Sequence, residues 1–264
     1  LDPVTAIRMA TLNAAECFDL KDRGAIAPGY RGDVVLLDDL KDFHVNRVFV
    51  EGTLVAEEGK YLPEIKKCDI SSVKGSVIVK DFSKEKFKMN LKSNKVNVIK
   101  ILPGGVVTAK DTAEIELDAN GEFVRNPGVD LVKVAVVERH QGTGNVACGF
   151  LKGYGIKEGA VALSVAHDSH NIIVVGVNDE EMEFAVNSLI EQEGGIVLVK
   201  EGKVIESMPM PIAGLMSDQS GEWVDQKLTD IHEKAYEELG ICGDVEPVMT
   251  CLLYTSPSPR DVEE

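Results

Sequence analysis

Apolar runs rich in β-branched residues alternate with polar segments through the second half of the chain. Residues 130–140 (DLVKVAVVERH), 161–166 and 172–175 have the composition of buried strands. The first run ends in charged residues, and the other two enclose the polar cluster HDSHN at residues 167–171. An unpaired buried polar group costs about 1–3 kcal/mol, so each cluster must either close a local hydrogen-bond network or face a ligand.

Helical spacing of apolar residues predicts three helices. The first covers about residues 3–17 and follows Asp2, a good N-cap residue. The second follows Asn178, with Glu181 as its expected capping-box partner. The third covers about residues 222–239 and ends before a glycine.

The segments Glu51-Gly52 and Glu201-Gly202 have the composition of tight turns and predict two β-hairpins. The remaining predicted strands, including those of the hairpins, are residues 34–37, 45–50, 53–56, 76–79, 96–101, 196–199 and 204–207. The earliest of these strands is expected to be buried. Glycines punctuate residues 149–160, which predicts a connector there.

Alternating strands and helices predict a mixed α/β fold of the α+β type over residues 71–250. A domain boundary is expected near Ile70. Met208, Met210 and Met216 are expected to fill gaps in the core, because methionine adapts to irregular spaces.

The composition indicates which binding partners and which cellular compartment to expect. The chain of 264 residues carries a formal net charge of −16, which argues against nucleic acid because phosphate binding requires clustered lysine and arginine. No apolar run reaches the roughly 18 residues of a membrane span. Five widely spaced cysteines without a CxxC pair indicate a reducing, cytoplasmic location. Leu1 stands first instead of methionine, so we expect the chain to begin within a longer protein.

Four segments resemble known proteins. ATLNAAECFDLKDRGAIAPGYRGDVVLLD, at residues 10–38, resembles the segment that follows the last barrel strand in the amidohydrolase superfamily. VVERHQGTGN at residues 136–145, the segment from GFLKGYG to IIVVGVND at residues 149–179, and PMPIAGLMSD at residues 209–218 resemble the C-terminal domain of adenine deaminases. Four motifs in order are a far stronger signal than any single short pattern.

The resemblance implies an activity for the parent protein. In that family, adenine and water give hypoxanthine and ammonia, through attack on purine C6 by a hydroxide that divalent Mn, Fe or Zn ions activate. It implies adenine as the substrate, a role in purine salvage, and a possible homo-oligomer. The superfamily's metal ligands include an HxH motif, which does not occur in this sequence. We therefore expect the chain by itself to bind no metal and to be inactive.

The resemblance also implies an architecture. Residues 1–19 correspond to the last helix of an amidohydrolase barrel, residues 20–70 to part of a small β-domain with a connector, and residues 71–250 to the C-terminal domain. Residues 251–264 begin with CLLYTSPSPRD, which resembles a translated sequencing adapter. We expect this tail to be non-native and to form no folded contacts.

Two polar clusters, each at the end of an apolar strand, favour a shared cleft. The candidate substrate-facing or supporting residues are Glu138, Arg139, His140, Thr143, His167, Asp168, Ser169, His170 and Asn171. Three roles stay open for them. They line the barrel mouth of the complete enzyme, they form a structural network, or His167 and His170 hold a metal. Adjacent Glu138 and Arg139 point to opposite faces if they lie in a strand.

Two other functions remain as alternatives. The chain can be a non-catalytic capping or oligomerisation module of another amidohydrolase. It can also belong to a different enzyme of the superfamily, such as a dihydroorotase-like protein. The motifs ERHQGTGN and AHDSHN argue against the second alternative.

Overall fold

A computed structural model describes residues 1–104, 108–167 and 169–248 of the chain. The chain divides into two compact units, Leu1–Cys68 and a second unit that begins at Asp69. Mixed sheets with few helices confirm the predicted mixed α+β class. The predicted tail, residues 251–264, lies outside the described residues.

The first unit opens with the predicted helix, which is continuous but widens in the middle. It consists of α1 (Pro3–Arg8), a π-helical segment (Met9–Asn13) and α2 (Ala14–Cys17). The Asp2 carboxylate accepts a hydrogen bond from the Thr5 amide at 3.0 Å, which confirms the predicted N-cap.

A small antiparallel sheet follows in the first unit. Its strands, in spatial order, are β1 (Val34–Leu37), β2 (Val45–Val50), β3 (Thr53–Glu57) and β4 (Lys60–Tyr61). The β2–β3 hairpin is confirmed, since Glu51 and Gly52 have φ values of 51° and 77°, as a type I′ turn requires.

The predicted burial of β1 is wrong. Val35 is 53% exposed and Leu36 is 42% exposed. Among residues 1–68, all of which the structure describes, only Ala15 is buried. The apolar composition of β1 identified a strand correctly, but burial depends on a covering layer that this unit does not contain.

The second unit is built on an eight-stranded sheet. Its strands are β5 (Lys95–Ile101), β6 (Thr108–Glu114), β9 (Leu131–Val137), β10 (Val146–Lys152), β11 (Ala160–Leu163), β12 (Ile172–Gly176), β13 (Gly195–Lys200) and β14 (Lys203–Pro209). Their spatial order is β14-β13-β11-β12-β9-β10-β5-β6, in which β10 and β5 are parallel and all other neighbours are antiparallel. The short strands β7 (Glu116–Leu117) and β8 (Phe123–Val124) pair separately.

One helix covers each face of this sheet. The helix α3 (Asp179–Glu191) packs with the inward side chains of one face, including Ala162 and Val174. The helix α4 (Gly221–Glu237) packs on the other face with Leu163 and Ile173. Consecutive residues of the central strands thus enter different cores, which explains their continuous apolar runs.

The helix and hairpin predictions in this unit are confirmed. Asn178 caps α3 by accepting the Glu181 amide at 2.8 Å, although the Glu181 carboxylate accepts from the Gly202 amide instead of closing a capping box. The turn between β13 and β14 again has two positive φ values, at Glu201 and Gly202. No helix within the described residues is both long and apolar enough to cross a bilayer.

Four predictions in this unit need correction. Residues 149–160 are not only a connector, because β10 extends to Lys152 and pairs along its length with β9. Residues 76–79 form no strand, although Ile78 donates one backbone hydrogen bond to Arg139. The strand predicted at 130–140 ends at Val137. Met208 is buried as expected, whereas Met216 is 58% exposed.

Candidate functional site

The two predicted polar clusters are hairpin loops at the same end of the large sheet. The first loop (residues 138–145) joins β9 to β10, and the second loop (residues 164–171) joins β11 to β12. Ile172, at the start of β12, pairs with Val137, at the end of β9. The loops therefore leave the sheet side by side. Asp168, within the second loop, lies outside the described residues.

The first loop is organised by the Glu138 carboxylate. Its Oε1 accepts the amides of His140 at 2.5 Å and Gln141 at 2.7 Å. Its Oε2 accepts the amide and the hydroxyl of Thr143 at 2.9 and 3.0 Å. Burial raises the pKa of Glu138, but these donors outweigh burial and bring its pKa to about 2. Glu138 is thus a fixed anion at neutral pH and no proton donor.

The second loop contains a tight backbone turn. The His170 amide donates to the Ala166 carbonyl at 2.7 Å, and the Ser169 amide donates to the His167 carbonyl at 3.0 Å. His170 has a left-handed φ of 49°, which is uncommon for a residue with a side chain. The turn leaves His167 exposed and His170 half-buried.

The loops contact each other through two hydrogen bonds. His140 Nε2 lies 2.8 Å from the Ser169 carbonyl oxygen. Because a carbonyl only accepts, His140 carries a proton on Nε2 in this contact. The Arg139 amide donates to Asn171 Oδ1 at 3.4 Å. The structure therefore brings the two candidate clusters together.

Arg139 is the largest fully buried side chain near the loops, with 1% of its surface exposed. Its Nε donates to the His170 carbonyl at 2.5 Å. One terminal nitrogen donates to the Ser76 carbonyl at 3.4 Å, and the other to the Ala213 carbonyl at 3.1 Å. Glu138 and Arg139 lie beyond the end of β9, so the expectation for neighbours in a strand does not apply to them. The Glu138 side chain binds its own loop, and the Arg139 side chain binds the second loop.

Ser164 is a buried polar residue that the sequence prediction missed. Its hydroxyl donates to the Gly214 carbonyl at 2.5 Å and accepts the Gly195 amide at 2.7 Å. It thus joins the start of the second loop to β13 and to the segment that also binds Arg139. A serine inside an apolar run, VALSVA, was the signal that could have identified it.

The hypothesis of a metal held by His167 and His170 gains no third ligand from the described residues. Within them, no group of three or more His, Cys, Asp or Glu side chains could hold a metal ion. His140 Nε2 is already engaged with a carbonyl. The donor set described at these loops does not fit a resident metal, and we assign it no metal-dependent step.

A separate cleft of about 430 Å³ lies beside the start of α3. Its three lysines, Lys84, Lys88 and Lys133, are paired with acids of the same cleft, whereas Arg125 donates to the backbone carbonyls of Ile156 and Lys157. Lys133 Nζ binds Asp179 at 2.7 Å, and Lys84 Nζ binds Glu180 at 2.9 Å. This internal neutralisation gives no preference for an anionic ligand, so the paired loops remain the better candidate site.

Comparison with known proteins matches both ends of the chain. A family model described as the adenine deaminase C-terminal domain matches residues 105–259. A model described as the amidohydrolase family matches residues 1–55. The first match contains both loops and the segment around Ala213.

Individual relatives agree with the family models. Adenine deaminase 2 of Desulfotalea psychrophila is 64% identical over 98% of this chain and 45% of its own length. Adenine deaminase of Ligilactobacillus salivarius is 48% identical over 95% of this chain and 43% of its own length. The chain therefore spans less than half the length of these curated relatives. The match over most of the second unit shows that the chain belongs to the adenine deaminase C-terminal domain family.

Proposed function

We propose that this chain is the C-terminal part of an adenine deaminase, which converts adenine and water into hypoxanthine and ammonia. The observation that carries the proposal is the family match over residues 105–259. The relatives with this name extend well beyond the region that the chain matches. The activity is therefore proposed for the complete enzyme, and we expect the chain by itself to be inactive.

We further propose that the first and second loops face the purine in that enzyme. Polar groups converge there on a rigid sheet, an arrangement that binding sites commonly use. His140 and His167 are exposed. The Ser169 hydroxyl and the Asn171 amide lie in the second loop, where they are suited to hydrogen bonding with ring nitrogens and the exocyclic amine. Glu138 and Arg139 would stabilise this surface, because Glu138 binds amides of the first loop and Arg139 binds the His170 carbonyl.

The chemistry divides between parts of the complete enzyme. The divalent metal that the resemblance implies, Mn, Fe or Zn, would supply activation of water for the hydrolysis when bound in the complete enzyme. The described residues of this chain do not form such a centre. Their proposed contribution is to bind and orient adenine and to exclude bulk water from the reacting carbon.

The first unit has a proposed role in packing. Residues 1–19 would be the last helix of an amidohydrolase barrel, and residues 20–70 part of the small β-domain. An apolar groove of about 570 Å³ between the helix and residues 20–37 supports this proposal, as does the single buried residue, Ala15. A surface with so much exposed apolar area is typical of a packing interface.

Setting and assembly complete the proposal. The enzyme would act in the cytoplasm in purine salvage, without nucleic acid or membrane, and could form a homo-oligomer. Exposed free cysteines, Cys17 and Cys68, suit a reducing compartment. The net charge of −16 opposes binding to phosphate backbones.

Complementation tests the activity. The chain is mixed with a separately expressed N-terminal part of the Desulfotalea psychrophila relative, and ammonia release from adenine is measured with added Mn²⁺. We expect neither piece to act alone and the complex to be active; a covalent chimera of the two pieces serves if they do not associate. Turnover by the chain alone, or an inactive folded chimera, would contradict the proposal. Full activity of the N-terminal part alone would favour a non-catalytic capping module.

A further inference from the structure

Arg139 has an unusual set of hydrogen-bond partners. Its side chain is buried, and within the described residues its three guanidinium hydrogen bonds go to backbone carbonyls, those of Ser76, His170 and Ala213. These partners lie 63, 31 and 74 positions away in sequence. The planar guanidinium can hold three separate segments in one fixed geometry, whereas the three donors of a lysine rotate about a single nitrogen atom.

The hydrogen bond from the Arg139 side chain to the His170 carbonyl takes the place of a backbone hydrogen bond between β9 and β12. The β9–β12 ladder pairs Val137 with Ile172 and Val136 with Ile173. Continued in the same register, this pairing would set Arg139 opposite His170. The main chain of the second loop turns away at that point, because His170 adopts a left-handed φ of 49°. The Arg139 side chain then supplies the donor for the His170 carbonyl.

The guanidinium is itself fixed in place. A Cβ added to Gly214 would lie 2.8 Å from one terminal nitrogen of Arg139 and 3.0 Å from its central carbon. Gly214 has a φ of 70°, which glycine adopts without strain. Ser164 holds the carbonyl of the same glycine at 2.5 Å. The backbone of residues 213–214 is therefore held in place, and the Arg139 guanidinium packs closely against it.

His170 also carries an unsatisfied group. Its Nδ1 is buried and has no hydrogen-bond partner among the described residues. The His170 Nδ1 atom is therefore free to bind a group of the substrate or of the complete enzyme. A small rotation of the second loop, which also contains the exposed His167, would change which group this atom can reach.

We propose that Arg139 is a positioning residue that fixes the left-handed turn at His170 and thereby sets the orientation of the second loop. Its use in catalysis rests on the proposed function, in which this loop faces the purine. Arg139 touches no substrate in this account. It acts through the His170 carbonyl.

Nuclear magnetic resonance on the chain carrying isotope-labelled histidine tests the positioning directly. In Arg139→Lys and Arg139→Met we expect the His170 and His140 ring signals to shift and broaden, and amide exchange in residues 166–171 to rise by at least about tenfold. Lys133→Met is the matched control, since Lys133 is a buried cation on β9, the strand that leads into the first loop, and binds the Phe87 carbonyl and Asp179. It should leave the His170 signals unchanged at a similar loss of stability.

Two outcomes would overturn the positioning role. One is unchanged His170 and His140 signals in both Arg139 variants. The other is an equal change in Lys133→Met, which would indicate general loosening of the sheet. If the variants do not fold, exchange of the Arg139 Nε proton in the unaltered chain decides the matter. We expect strong protection of this buried donor, and exchange as fast as in exposed arginines would reject the proposal.

An activity measurement separates this inference from the proposed function. In a chimera that joins this chain to the N-terminal part of the Desulfotalea psychrophila relative, Arg139→Lys should lower kcat/KM for adenine on the order of tenfold. Shifted His170 signals with unchanged kcat/KM would retain the positioning role and reject the proposed role of the loop. Unshifted signals with reduced kcat/KM would reject the positioning role.

Discussion

The two loops at the end of the large sheet are neighbours, yet the main contacts that hold them differ. Each also has a contact of the other kind, since Lys86 Nζ donates to the Gly144 carbonyl of the first loop at 2.6 Å and the second loop has its own backbone turn at His170. The first loop is organised from within, because Glu138 accepts four hydrogen bonds from residues at most five positions away. The second loop is held from outside, by Arg139 and by contacts that Ser164 makes with Gly195 and Gly214. Only the second loop contains a buried nitrogen without a partner, at His170, among the described residues of the two.

This difference separates local from tertiary order. A loop closed by its own carboxylate keeps its shape as long as that carboxylate is charged. A loop fixed by residues 31 to 50 positions away depends on the packing of the whole unit. The conformation of the first loop thus depends mainly on its own residues. The conformation of the second loop depends on the packing of distant residues in the same unit. Substitution of Glu138 or of the groups that it binds should therefore have local effects, whereas substitution of Arg139, whose side chain binds the second loop, should not.

The largest effect on the first loop is expected from Glu138→Gln. The glutamine oxygen can still face the amides of His140 and Gln141, but its amide group then meets the Thr143 amide, which loses its acceptor. We expect a loss of about 2 kcal/mol in unfolding free energy, since hydrogen bonds to charged groups contribute about 1.5–3 kcal/mol. Chemical denaturation measures the loss, and hydrogen exchange should locate it in residues 138–145.

Glu122→Gln is the control for that substitution. Glu122 also binds two backbone amides, those of Met89 and Asn90, in a different part of the second unit. It should loosen its own surroundings and leave exchange in the first loop unchanged. Equal loosening of the second loop by Glu138→Gln would contradict the distinction between the two loops.

A smaller effect is expected from Thr143→Val. The substitution keeps the Thr143 amide but removes the hydroxyl that donates to Glu138 and accepts the Asn145 amide at 3.2 Å. Two exposed hydrogen bonds are lost, each at the low end of the usual contribution of about 0.5–1.5 kcal/mol, so we expect a decrease of about 1 kcal/mol. Thr112→Val, on an exposed position of β6, provides a surface control. A loss as large as that of Glu138→Gln would show that the carboxylate is not the organising group.

Among these changes, mild acid should have the smallest effect on the stability of the first loop. The pKa of Glu138 is about 2, below its ordinary value of 4.5, because the loop amides outweigh the opposing effect of burial. Its contribution to stability is therefore complete above pH 4.5 and is lost as the pH falls from 4.5 towards 2. We expect the first loop to stay ordered at pH 5 by amide exchange. A Glu138 carboxyl that titrates near 4.5 would contradict this expectation.

The sequence predicted the locally determined parts of the molecule. The turns at Glu51-Gly52 and Glu201-Gly202 and the cap at Asn178 follow from a few adjacent residues, and all three are present. The two polar clusters were also found. The amide cage of Glu138 is equally local, so the run ERHQGT contained enough information to predict it.

The missed features depend on distant residues. β10 contains Gly149, and only pairing with β9 makes a strand of a segment that resembles a connector. The burial of Arg139 was not predicted, because Ser76 and Ala213, whose carbonyls its side chain binds, are far away in sequence. The exposure of β1 has the same origin. The pattern of apolar residues indicated a strand but not what covers it.

The most direct test of the proposed role of the loops is steady-state kinetics of the chimeric enzyme with His167→Ala and His170→Ala combined. Both residues lie in the second loop, and neither side chain takes part in the contacts of Arg139 and Ser164, since Arg139 binds the backbone carbonyl of His170. We expect kcat/KM for adenine to fall by at least about tenfold, while the melting temperature of the chimeric enzyme stays nearly unchanged. Unchanged kinetics together with unchanged stability would contradict a purine-facing second loop.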